Sequence, residues 1–251
     1  MEIKRTAFQG VSNIIRFNWH FYLIVFAILL AVILFYNLLP VPLQMIAISG
    51  AVLGILTLII SLLVSYYVYD LSDLYELKWL GENGSGSILN INAGFDEISE
   101  IIQAKYPEVS LSICDFYDPE KHTEVSIKRA RKAYPPSPET IQVSTEELPF
   151  PDNHFDKVLA VLSAHEIRDP EERSSFFKEL NRVSKADGEI IVTEHLRDIY
   201  NFLAYTIGFL HFHSKKSWKQ TFEEAGLKVK AEIKSTPFVT SFILEKDGNT
   251  T

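Results

Sequence analysis

An α/β fold behind a two-helix membrane hairpin is what this sequence predicts, and three observations carry it. Two runs near the N-terminus, Phe17 to Leu39 and Leu43 to Val68, contain no charged residue. From Ser87 onward, short β-branched apolar runs alternate with amphipathic stretches at helical spacing. Between Lys157 and Thr193 these alternate as strand, helix, turn, strand, which is a βαβ unit.

The hairpin comes first. Each uncharged run exceeds the ~20 residues that cross a bilayer, and two in succession are too long to be a signal segment. Only Pro40-Val41-Pro42 joins them, so they must turn back tightly on each other. Lys4, Arg5 and Arg16 precede the first run and the tip has no Lys or Arg. The positive-inside rule then puts both termini in the cytoplasm, as an integral membrane protein with two spans. Trp19, Tyr22, Tyr36, Tyr66, Tyr67 and Tyr69 suit the interfaces. Gly50 with Gly54, and Ala47 with Ala51, offer small faces for packing within the hairpin; a homodimer contact is the alternative use.

Asp70 to Trp79 reads as an amphipathic connector, and Glu82 to Ser87, with Gly81, Gly84 and Gly86, as a flexible linker. The expected division is residues 1–16 as an N-terminal segment, 17–69 as the hairpin, 70–87 as connector and linker, 88–246 as the α/β domain and 247–251 as a tail. Strands are expected at Ser87 to Ile91, Ser110 to Cys114, Ile141 to Val143, Lys157 to Leu162, Glu189 to Thr193, Leu227 to Ile233 and Val239 to Glu245. Helices are expected at Glu97 to Lys105, around Phe176, Phe177, Leu180 and Val183, and at Ser217 to Ala225, with Ala186-Asp187-Gly188 a turn.

The net charge of the 251 residues is −8. Residues 1–69 carry Lys4, Arg5, Arg16 and Glu2, or +2, so the rest carries −10. That excludes a nucleic-acid partner, whose backbone rewards basic surfaces. The single cysteine, Cys114, excludes a disulfide framework and a cysteine zinc site, and its apolar run makes it a core thiol.

Two phrases in order, E-E-L-P-F-P-D-N-H-F-D before the fourth strand and E-L-N-R-V-S-K-A-D-G before the fifth, resemble the class I S-adenosylmethionine-dependent methyltransferases of the type 11-like kind. The resemblance covers roughly residues 75–246 and implies a Rossmann-like doubly wound sheet of seven strands, with S-adenosylmethionine as cofactor. It implies a cofactor loop at Asn90, Asn92 and Gly94, where the family reads acidic-x-Gly-x-Gly-x-Gly and this chain keeps only Gly94. Asn and Asp tolerate positive φ, so the loop shape survives Asn92 and Asp96. It further implies Asp115 against the ribose hydroxyls, Ser144 and Glu146 beside the adenine, Ser163 after the fourth strand, and His165 on the substrate side. His195, after the fifth strand, joins His165 as a candidate general base.

Four histidines and two glutamates gather at the strand ends without H-E-x-x-H spacing, so no metal is expected. Asn201 to His213, rich in apolar residues, is expected to be a lid over the acceptor, or alternatively a core helix or an interfacial segment. The resulting reading is a methyltransferase anchored at the cytoplasmic membrane face and acting on a hydrophobic or lipid-like small molecule. The alternative is a membrane-held methyltransferase-like scaffold without catalysis.

Overall fold

Seven strands form one mixed sheet in the computed structural model, which describes residues 5–81 and 86–248. Lys4 of the basic cluster, and Glu82 and Gly84 of the linker, lie outside the described residues. The strands are β1 (Ser87–Asn92), β2 (Ser110–Asp115), β3 (Ile141–Gln142), β4 (Phe155–Val161), β5 (Ser184–His195), β6 (Leu227–Lys234) and β7 (Val239–Lys246). Their order is β3-β2-β1-β4-β5-β7-β6, with β7 antiparallel to both neighbours and the rest parallel. The order reverses between β1 and β4, and a doubly wound sheet opens its ligand crevice at that point, beyond the carboxyl ends of the strands.

Helices cover both faces, so β1 from Ile88, the middle of β4 and the second half of β5 are buried throughout. The helix α6 (Pro170–Val183) presents Phe176, Phe177, Leu180 and Val183 to the core, as their spacing predicts. Asp169 caps it by accepting from the Glu172 N–H at 2.8 Å, ahead of Pro170 in the first turn. Helix α8 (Lys215–Glu224) buries Trp218 and Phe222 against the same core. Cys114 is buried, and burial with Asp115 beside it pushes its thiol up to about 12, as suits an inert core position.

Three local expectations change. The Ala186-Asp187-Gly188 turn is an excursion inside β5, whose register against β4 jumps from Ser184 opposite Phe155 to Glu189 opposite Lys157. Helix α4 (Ser99–Lys105) starts later than Glu97, because the Asp96 carboxylate accepts from the Ile98 and Ser99 N–H groups at 3.0 Å and sets the first turn. A further helix, α5 (Val125–Ala133), is absent from the hydrophobic pattern, since only Ala130 on it is buried. The connector is amphipathic as expected, but its form is two short 3₁₀ turns, Asp73–Glu76 and Lys78–Leu80, which sink Leu77, Trp79 and Leu80 into a cluster with Ile98 and Ile102.

The N-terminal part contains α1 (Gln9–Phe17), α2 (Trp19–Phe35) and α3 (Val41–Tyr66), the last running into a wider π-type turn, Tyr67–Leu71. Two helices here are long and apolar enough to cross a membrane. No residue of α2 is buried, and only Ser65 of α3 is. A Cβ on Gly50 or Gly54 would meet nothing within 4 Å, so those small residues do not serve packing within the hairpin as expected. Helix α1 instead folds back onto the α/β domain. Asp70 anchors its start, accepting from the Gly10 and Val11 N–H groups at 2.7 and 2.8 Å. Gly10 is required there: a Cβ would lie 2.4 Å from the Tyr69 Cβ.

Candidate functional site

The crevice at the strand reversal holds a cavity of about 260 Å³, walled by the 90–98 loop, the ends of β4 and β5, and α1 and α5. Its walls include Asn13, Phe17, Asn90, Phe95, His165 and His211. Helix α1 is its cover, held by Phe17 edge-on to Phe95 and by Tyr134 donating to Asn13 at 3.0 Å. Arg129 of α5 donates to the Phe17 carbonyl at 2.6 Å, and Arg5 pairs with Glu97 at 3.1 Å. Charge and aromatic contacts therefore fasten the N-terminal segment over the loop that the sequence assigns to the cofactor.

That loop replaces glycines with side-chain bonds. Asn92 donates to the Cys114 carbonyl and accepts from the Gly94 N–H, both at 3.0 Å. Gly94 turns the chain at φ 94°, and a Cβ there would press on the Tyr117 ring at 3.0 to 3.1 Å. Asn90 donates to Asp96 at 3.1 Å and to Ser99 at 2.7 Å, which leaves its buried carbonyl oxygen without a partner. Ser163 donates to the Ile91 carbonyl at 3.1 Å and pins the end of β4 to β1.

Asp115 stands at the end of β2 as expected, but it is buried and already engaged. One oxygen accepts from the Tyr117 N–H at 2.8 Å and the other pairs with the Arg131 guanidinium. Arg131 in turn lies over the Tyr117 ring, 4.7 Å from its centroid. Ser144 and Glu146 are exposed and border a separate cavity together with Tyr117 and Arg131; the Ser144 hydroxyl accepts from the Glu146 and Glu147 N–H groups at 3.3 Å. The structure thus brings Asn90, Asn92, His165 and His195 around the covered cavity, while Ser144 and Glu146 stand apart from it.

His165 and His195 differ sharply. The His165 Nδ1 donates to Glu194 at 2.7 Å, and its Nε2 lies 3.3 Å from Glu166. Burial lowers its affinity for a proton, but the two carboxylates outweigh that and raise its pKa to about 10. At neutral pH the ring is a donor, not the acceptor that a general base must be. Glu166 is held below the usual carboxylate range: burial pushes it up, and the His165 and His211 rings pull it down further than that. His195 meets two acceptors at Nδ1, the Asn201 side-chain oxygen and the Phe238 carbonyl, both at 3.0 Å. Its proton therefore sits on Nδ1, and Nε2 accepts from the Tyr69 hydroxyl at 2.8 Å. Burial lowers its pKa to about 4. With both nitrogens engaged, His195 is a strut between the domain and the end of the hairpin.

Sequence reasoning missed the roles of Tyr69, Glu124 and Arg131, and it placed Glu194 at the strand ends without its partner. Tyr69 read as an interfacial aromatic, and nothing in its spacing says that it reaches a histidine 126 residues away. Glu194 carried one legible signal, a charged residue at the end of an apolar strand.

The segment expected as lid or core is helix α7 (Ile199–Tyr205) followed by a 3₁₀ stretch, Thr206–His211. Phe202, Leu203, Ile207 and Leu210 are exposed, which overturns the core reading. Only its C-terminal end, His211 and Phe212, reaches the cavity, and α7 packs beside α3.

Residues 120–192 match the family model of the methyltransferase domain, a span from just before α5 into β5 that leaves the 90–98 loop outside it. A methyltransferase described as S-adenosylmethionine-dependent, from Methanosarcina mazei, is 18% identical, with 68% of this chain and 97% of that chain covered at a TM-score of 0.51. A protein from Pyrococcus horikoshii OT3 is also 18% identical, with 69% and 87% covered at a TM-score of 0.52. No curated protein matches the chain. The seven-stranded sheet is therefore the Rossmann-like class I methyltransferase fold, and the chain carries a methyltransferase domain.

Proposed function

We propose that this protein is a membrane-anchored methyltransferase that uses S-adenosylmethionine and acts on a hydrophobic or lipid-like small molecule at the cytoplasmic membrane face. One observation carries the reading: the cavity at the strand reversal is closed by the segments flanking the apolar hairpin. Gly10, Asn13 and Phe17 before it, and Tyr69 and Tyr75 after it, share that wall with His165. A site built jointly from a domain and its anchor suits an acceptor that arrives along the bilayer.

The residues present fit the cofactor on two counts. The unpartnered Asn90 oxygen on the cavity wall is an acceptor that an ammonium group would satisfy, and Gly94 provides the left-handed turn at the loop. Asn90, Asn92, Gly94 and Ser163 would hold its amino-acid end, and Asp115, Ser144 and Glu146 its nucleoside. When bound, the cofactor supplies a methyl group on a sulfonium centre. The chain's own work is then to align the acceptor for in-line displacement and to exclude water, which the α1 cover does. His165, charged and fixed by Glu194, would orient the acceptor as a hydrogen-bond donor through its Nε2–H, in exchange for the longer 3.3 Å contact to Glu166.

The two termini share one side in this reading: α1 and the α/β domain are in contact, which supports a hairpin that leaves and returns through the same face. The exposed apolar edge of α7 beside α3 would dip into the same interface.

A second reading has an observation of its own. The Arg131 guanidinium and the Tyr117 N–H occupy the two Asp115 oxygens and so close them to a ribose. If that closure is permanent, the chain is a membrane-held scaffold. Calorimetric titration of the full chain in detergent with S-adenosylmethionine separates the two. The enzyme reading expects binding that weakens by roughly 1–3 kcal/mol in Asp115→Ala, the scale for losing a charged hydrogen-bond partner. No binding at millimolar cofactor would leave the scaffold.

A further inference from the structure

We propose that His165, Glu166 and His211 bind one divalent transition-metal ion of the zinc class on the wall of the covered cavity, with Glu194 and Glu124 orienting the two imidazoles. Each of the three side chains offers one ligand atom, and these atoms all lie within 4.8 Å of one another. The Glu166 Oε1 lies 3.3 Å from the His165 Nε2 and 3.3 Å from the His211 Nε2. Zinc bonds to nitrogen and oxygen at about 2.0–2.1 Å, so a tetrahedral site has an edge of roughly 3.4 Å. Two of the three edges already have that length.

The surroundings are those of metal-binding histidines. A ligating imidazole commonly donates its other N–H to a carboxylate, which selects the tautomer and fixes the ring. His165 does so to Glu194, at 2.7 Å from Nδ1, and the same carboxylate accepts the His165 backbone N–H at 3.1 Å. His211 does so to Glu124, at 2.8 Å from Nδ1. Each Nε2 is thereby left for the shared centre. Three carboxylates against two imidazoles leave an anionic surplus beside an apolar cavity, and a divalent ion in place of the proton between His165 and Glu166 would offset it. Three protein ligands leave a coordination position open, and here it opens to the cavity, where an oxygen of an acceptor or a water fits.

Among the described residues, Arg168 is the competitor. Its guanidinium donates to the His211 carbonyl, touches the His211 ring nitrogens, one at 2.8 Å, and lies 3.8 Å from Glu124. Its side chain is 43% exposed, so it can swing away as the ion enters.

The test needs no methyl transfer. Full-length protein in detergent, stripped with a chelator, is titrated with zinc by calorimetry and with cobalt(II) by visible absorption. The expected result is one ion per chain, with ligand-field bands of a low-coordinate cobalt site. His211→Ala, at a partly exposed position that leaves the core untouched, should abolish stoichiometric binding. Glu124→Gln should weaken it by roughly 10–100-fold, as for a lost orienting carboxylate. Arg168→Ala should bind at least as tightly as wild type. A wild-type chain that takes up no stoichiometric ion overturns the proposal, as does uptake that survives unchanged in His211→Ala, which marks an adventitious ion only. A chain that binds S-adenosylmethionine but no metal would overturn this inference alone.

Discussion

His165 and His195 stand at the ends of neighbouring strands, His195 buried and His165 only partly exposed, and are driven in opposite directions. His165, beyond β4, sits between Glu194 and Glu166 and keeps its proton to a pKa of about 10. His195, at the end of β5, sits among carbonyl oxygens and the Tyr69 hydroxyl and gives its second proton up by about pH 4. Burial pushes both rings toward neutrality, so burial does not explain the contrast. The difference is charge: carboxylates repay the desolvation of an imidazolium, whereas neutral dipoles do not. One histidine is thereby a charged group facing the cavity. The other is a neutral link that ties the end of the hairpin to the sheet.

The largest break in this comparison is Glu194→Gln. It removes a fully buried carboxylate from its partner, and such a loss destabilises by roughly 3–5 kcal/mol in denaturant titration. The pH dependence sharpens the test. His165 binds its proton more tightly when folded, so its contribution is complete below about 6.5 and is lost as pH rises toward 10. In protein stripped of metal with a chelator, wild-type stability should fall across that window, and the fall should flatten in Glu194→Gln. His195 runs the other way: unfolded chains take up its proton first, so stability is lost as pH falls from 6.5 toward 4.

Tyr69→Phe is next. It strips the donor from the His195 Nε2 and leaves a buried acceptor unpaired, at roughly 1–3 kcal/mol. Titration of the ring by NMR should show His195 moving up while His165 stays in place. An equal shift of the His165 ring would show that the Tyr69 hydroxyl acts on both sites and not on His195 alone.

Asp70→Ala carries the comparison to the cover. Removing the acceptor for the Gly10 and Val11 N–H groups should cost roughly 0.5–2 kcal/mol, the range for a lost helix cap. Limited proteolysis should then cut near residues 5–17 before the domain unfolds. The smallest effect belongs to the exposed apolar edge. Ile207→Lys, at a residue 79% exposed, should change stability by no more than about 0.5 kcal/mol. A fluorophore at the same position should nevertheless be quenched by lipid-attached quenchers, and an unquenched probe would detach this edge from the bilayer.

The strands and the main helices were legible because their signals are local. β1, β4, α6 and α8 each announce themselves by an apolar period and a nearby cap or turn residue. Helix α5 was not legible, since a helix that buries only Ala130 has almost no hydrophobic stripe to read. The excursion inside β5 was also hidden, because an Ala-Asp-Gly triplet reads the same as a turn between elements and as a bulge within one.

The sequence by itself determined the fold class, the two uncharged helices, the position of the 90–98 loop and the acidic residue ending β2. Each follows from the order and period of residues within a few turns or one strand. Only the tertiary structure decided what those residues do. It gave Asp115 to Arg131, laid α1 over the loop, joined Tyr69 to His195 and drew Glu166 and His211 together beside His165. These pairings are spread over 16 to 126 residues of chain. A side chain's proton affinity and its partner depend on which groups the sheet brings within a few ångströms, and no local pattern encodes that distance.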